Sequence, residues 1–371
     1  MVDVLTFAPR RGYMHVRVLA TFTCLSAALF AGVNIAAERP ASQATAQSAR
    51  ARAAPRTSDG HPDLEGVWAN NTVTPFERPK ELVGKESLTD DELSVLKQRA
   101  ARLFDGGGDT AVGDALFLAL LANPEQHKRS GTGDYNQFWT DTDLVFEKRT
   151  AQVFEPRDGR LPPLTPQAQL RQAAAAEERR LHPADGPENR TPLERCITHG
   201  AARIGFLHAR NNSYYQIVQT RDVVVIHAEM IHEARVIPMD GRPRISPEIR
   251  SWLGDSRGHW EGETLVIDTT NFSPKSNFSW ASSSPASLTM GSHEHLHLTE
   301  RLTRTDLDTL QYEVTADDPT TWTQPWKAMV PWKRSTNRIY EYACHEGNRS
   351  MEGILSGARA DEKAAAGGSK K

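Results

Sequence analysis

Apolar and polar positions change rhythm partway along the chain. In the first third the spacing is helical. Thr89-Asp90-Asp91-Glu92 forms a capping box, with Leu93, Leu96, Ala100 and Leu103 following at intervals of three and four. Thr165-Pro166 opens a second helix that runs through QAQLRQAAAAEERRL, with proline at the first helical position. A short apolar segment, DALFLALLAN, ends at Asn123-Pro124. In the second half the alternation becomes two-residue. Strands are expected at 214–220, 223–230, 233–239, 264–270, 293–304, 310–316 and 339–344, with Arg221-Asp222 and Asp240-Gly241 as turns. No crossover helices separate these runs, so the expected fold is mainly β. It is an antiparallel, barrel-like sheet of lipocalin or calycin type, closed or nearly closed, with the N-terminal helices packed outside.

Composition sets the boundaries. Of 371 residues, 38% are hydrophobic and 25% charged, enough for a packed core. A net charge of -3 argues against a nucleic-acid partner. One stretch, Val18–Val33, is apolar enough to meet a membrane. With Arg10, Arg11 and Arg17 before it and small residues after it, residues 1–37 read as a secretory signal peptide. The expected organisation continues with a disordered leader at 38–60 and one folded domain at 61–358. That domain is helical to about 190 and β from about 191; a disordered tail occupies 359–371. The mature chain keeps Cys196 and Cys344, which an oxidising compartment would pair as a disulfide. The rival reading is a free thiol nucleophile at Cys344, beside His345 and Glu346.

Several segments carry a resemblance. PDLEGVW (62–68), YNQFW (135–139), EPRDGRLPPLTPQAQLR (155–171) and ERC (194–196) are followed by the run from Ile217 to Arg244 and by WLGDSRGHWEGETLVIDTTNF (252–272). ERLTR (300–304), YEVTADDPTTWTQPW (312–326) and YEYACHEGN (340–348) complete the set. Together they resemble a large family of exported bacterial proteins. The resemblance spans nearly the whole mature chain; it implies export and assigns no activity. The family usually has arginine where His259 stands and an aromatic residue near Arg349. The DLxGxW opening also looks like the start of some lipocalin-like barrels.

Candidate chemistry centres on Glu229, His232 and Arg235, with His297 and Glu300. Glu300 is in phase with Leu296, Leu298 and Leu302, and a carboxylate on an apolar face must be paired or protonated. Such a group can serve as an acid or base, or belong to a structural arginine network. His232 or His297 is the expected proton-transfer group, Glu229 or Glu300 its partner and Arg235 an anion clamp. His293, His295 and His297 share one strand face and read as solvated rather than as a metal site. Gly254–Gly258 matches G-x-S-x-G around Ser256, but the context is a glycine-rich turn leading into a strand. Trp260, Trp280 and Trp322, with His345 and Glu346 on a tethered loop, are the expected ligand contacts. No nucleotide, haem or metal cofactor is implied. The expected function is a periplasmic or secreted acid–base enzyme (lyase, isomerase or hydrolase) without a cofactor. Its partner would be a small apolar, aromatic or sugar-like molecule, and no membrane is involved once the signal is cleaved. A lipocalin-like carrier and a structural exported protein are the alternatives.

Overall fold

A computed structural model describes residues 55–105, 114–121, 143–200, 212–275 and 295–368. The expected signal peptide and most of the leader lie outside these residues. Ten strands make one antiparallel sheet. They are β1 (Gly66–Ala69), β2 (Val153–Glu155), β3 (Tyr214–Gln219), β4 (Val223–Ala228), β5 (Ala234–Pro238), β6 (Asp255–Glu261), β7 (Thr264–Thr270), β8 (His297–Arg304), β9 (Thr309–Asp317) and β10 (Trp326–Ser335). The helices are α1 (Asp90–Asp105), α2 (Asp114–Leu121), α3 (Pro166–Leu181) and α4 (Ser350–Gly368).

The helix starts follow local chemistry. The Thr89 N–H donates to Glu92 Oε2 at 2.8 Å and the Glu92 N–H returns a bond to Thr89 Oγ1 at 3.2 Å, a reciprocal box at the head of α1. Thr165 caps α3 by accepting from the Ala168 N–H. Leu96 and Ala100 of α1 meet Leu116, Phe117 and Leu120 of α2 in a small core beside Val73 and Leu88.

The sheet order is β5-β4-β3-β1-β10-β9-β8-β7-β6, with β2 added against β10. This corrects the expected closure, because β5 and β6 are the ends of the ladder and the sheet is not closed. It also corrects the separation into a helical and a β half. β1, from PDLEGVW, sits in the middle of the sheet, between β3 and β10. The strand expected at 339–344 is irregular chain, whereas β6 and β10 lie where no strand was expected. Helix α4 occupies most of the segment expected to be a loose tail.

Alternation places one face of the sheet in the core. Gly258, Ile267, Glu300, Val314 and Ala328 form one transverse row through β6, β7, β8, β9 and β10. Side chains fill the gap where the ladder stops. A Cβ at Gly258 would lie 2.3 Å from Met239 Sδ and 2.9 Å from Ile237 Cγ2, so β6 is bare where β5 leans on it. Arg244 donates to the Asp255 carbonyl at 2.9 Å and Arg257 to the Pro243 carbonyl at 3.0 Å.

Strand propensity alone favours valine over glycine in β6 by up to about 1 kcal/mol. The contact with β5 reverses that sign: Gly258→Val is expected to destabilise by about 1–3 kcal/mol in urea melts. Adding Met239→Ala should recover part of the loss.

Candidate functional site

The inward face of β8 reads Leu298, Glu300, Leu302, with Glu300 wholly buried. A carboxylate there needs a countercharge, and β5 supplies it. Arg235 donates through Nη1 to Glu300 Oε2 at 2.6 Å and through Nη2 to Oε1 at 3.0 Å. This two-bond fork is the strong geometry for guanidinium and carboxylate. The Tyr312 hydroxyl of β9 donates to the same Oε1. Burial pulls the Arg235 guanidinium down, but the charge and hydrogen bonds of Glu300 outweigh it and hold Arg235 above the ordinary arginine range.

An aromatic stack continues from this pair. The Tyr312 ring lies 4.6 Å from Trp332, at 22°, and Trp332 lies 4.5 Å from Tyr215, at 14°. Both faces of Trp332 are covered, yet its buried indole N–H has no hydrogen-bond partner. Asn70 follows β1 by one residue, and its backbone N–H donates to the Ser213 carbonyl at 3.0 Å. Its side chain is wholly buried, and neither its oxygen nor its nitrogen has a partner. Unpartnered polar atoms in a protein interior are rare and expensive.

A second polar region forms where β4 turns into β5. Glu229 and Glu233, both buried, flank the turn. Asn212 donates to Glu229 Oε1 at 2.9 Å and the His199 backbone N–H to Glu233 Oε1 at 2.8 Å. Cys196, Asn212, Ile231 and His232 all take positive φ there, which is costly for a β-branched residue such as Ile231. The chain after β10 pins this corner. His232 Nδ1 pairs with the Tyr342 carbonyl at 2.9 Å, and Cys196 and Cys344 lie at disulfide distance, with Cα atoms 5.8 Å apart. Beside them Glu194, Arg195, His345, Asn348 and Met351 line an open groove of about 250 Å³. Burial works against the Glu194 charge, but the Thr191 N–H and Arg190 hold its carboxyl below the usual range.

Of the five residues expected to carry acid–base chemistry, the fold brings together Arg235 and Glu300. Glu229 is buried at the corner. His232 is exposed there, and His297 is exposed on the outer face of β8, paired with Asp268 at 3.0 Å. His295 is also exposed, and His293 lies outside the described residues. Among the described residues no three potential metal ligands converge. Ser256 is inside β6 and shares a hydrogen bond with Thr269 Oγ1 at 2.9 Å, so the G-x-S-x-G string is strand rather than turn. Trp260 is half-buried and stacks on His61 at 4.6 Å. Trp322 is buried in the core, edge-on to Trp326 at 5.6 Å. Trp280 lies outside the described residues. His345 and Glu346 are exposed, and His345 borders the groove.

The sequence reading did not single out Asn70, Tyr215, Tyr312 or Trp332 as site residues. Tyr312 carried a signal: it is in phase with Leu310 and Val314, so its hydroxyl had to face inward.

Arg235→Met strands a buried carboxylate and is expected to cost about 3–5 kcal/mol. The double variant Arg235→Met/Glu300→Leu should recover most of that loss, read by denaturant melts of both proteins. No family model matches the chain, and no curated protein or solved structure matches it either.

Proposed function

We propose that this is an exported, lipocalin-like binding protein that holds a small organic molecule against the inner face of its sheet. The observation that carries the reading is that two wholly buried polar groups, the Asn70 carboxamide and the N–H of Trp332 within an aromatic stack, have no protein partner. Interiors that lack a protein partner for such groups are suited to receive one from a ligand. Carriage is favoured over acid–base catalysis by the engagement of the charged residues. Glu300 is held by Arg235 and Tyr312, while the imidazoles of His232 and His297 face outward. A general acid or base needs hydrogen-bond reach to the substrate, and these histidines lack it for an interior ligand. The apolar stretch at Val18–Val33 and the cysteine pair support a periplasmic or secreted location.

Native mass spectrometry of protein recovered from the periplasm tests this. A stoichiometric organic adduct is expected. Trp332→Phe keeps the stack and removes the N–H, so it should weaken retention of that adduct about tenfold while leaving Tm within a few degrees. A clean apo mass, with no adduct regained from a cell extract, would leave a structural role instead.

A further inference from the structure

The groove beside the cysteine pair is built from two chain segments far apart in sequence. Glu194, Arg195 and Ile197 line it from one segment, and His345, Asn348 and Met351 from the other. Cys196 joins them by pairing with Cys344, 148 residues away. No side chain from 336 to 366 is buried, so apolar packing does little to hold the second segment in place. The disulfide holds it, together with Asn348. The Asn348 Nδ2 donates to the Cys344 carbonyl at 2.8 Å, and its Oδ1 accepts from the Ser350 N–H at 2.9 Å.

The polar groups of the groove are unequally engaged. The Glu194 carboxylate is taken up by Arg190, by the Thr191 N–H at 2.9 Å and by the Thr191 hydroxyl at 3.0 Å. Asn348 is used in holding its own segment. The half-buried Arg195 side chain has neither a hydrogen bond nor an ion pair among the described residues, and the His345 imidazole has none either. Arg190 and Glu194 cancel, so Arg195 is the lining charge left without a countercharge. A guanidinium offers a planar fork that matches a carboxylate. The ionised Glu194 beside it disfavours a dianion by like-charge repulsion. Ile197 and Met351 add apolar surface, and a volume of about 250 Å³ suits a ligand below drug size.

We propose that this groove is a binding site for a small organic monocarboxylate, assembled by the Cys196–Cys344 disulfide. The carboxylate takes the Arg195 fork and a hydrogen bond from the His345 ring, and the apolar body lies against Ile197 and Met351. Neither segment alone supplies both contacts, so the site exists only while the two are joined. It is separate from the interior reading above and does not depend on it.

Calorimetry of the whole oxidised protein with benzoate, benzyl alcohol and inorganic phosphate tests the assignment. One benzoate per chain is expected to bind at least about tenfold tighter than either other probe, the worth of a charge-assisted contact. Arg195→Gln should abolish that preference without moving Tm, since the side chain has no protein partner to lose. Arg195→Lys keeps the charge without the fork and should retain only part of it. Dithiothreitol converts the disulfide to two thiols as it closes to its own cyclic disulfide. Protein so reduced, with its tryptophan fluorescence unchanged, should lose benzoate binding. His345→Leu leaves the disulfide in place and should weaken benzoate severalfold, which tests the second segment even where reduction disturbs the sheet. Benzoate binding unchanged in Arg195→Gln, in His345→Leu or on reduction would overturn the proposal, as would phosphate binding as tightly as benzoate. No benzoate binding at all would also overturn it, and would leave the interior reading to the mass-spectrometric test.

Discussion

One buried ion pair bears on how the two ends of this sheet are held. Backbone hydrogen bonds link every neighbouring strand from β5 round to β6 and stop there. Arg235 starts from the first strand in that order and reaches Glu300, two strands in from the other end. A pair of this kind gives little net stability against an apolar replacement. It does fix geometry, since a planar fork and a carboxylate fit in one orientation. Tyr312 then takes its position from Glu300, Trp332 from Tyr312, and Tyr215 from Trp332. The order of the interior thus runs outward from one charged contact.

Much of the fold was legible because it is written in local rules. The capping box at Thr89 and the threonine–proline start at Thr165 depend on residues within one turn, and both helices begin there. The strands rich in valine and isoleucine, β3, β4, β5 and β7, stand close to their expected limits. β6 was missed because glycine and serine flank its start, and a glycine-rich string reads as a turn. Its glycine at 258 is there for a neighbour, β5, that is distant in sequence. β10 was missed because Pro331 and the lysines interrupt its alternation. β1 was missed because four residues carry little periodicity.

The candidate site was half legible for the same reason. Glu300 and Arg235 stand out as charges in apolar strands, and they meet. Asn70 has no such contrast, since a polar pair after a short strand looks like a loop. It is nonetheless wholly buried, next to a strand that lies between β3 and β10, which is a tertiary fact. The histidines misled because imidazole suggests chemistry wherever it appears, and here the pleat turns His297 outward.

The central place of β1 has a consequence for the life of the chain. Val67 pairs with Gln216 on one side and with Ser335 on the other. The middle of the sheet therefore joins the first described strand to the last. Contacts so remote in sequence form slowly, because a long loop must close before they are rewarded. A partly made chain has no complete sheet to fold into and keeps β1 unmatched on one flank. Wherever the chain folds, this topology delays completion of the sheet until the last strand is available.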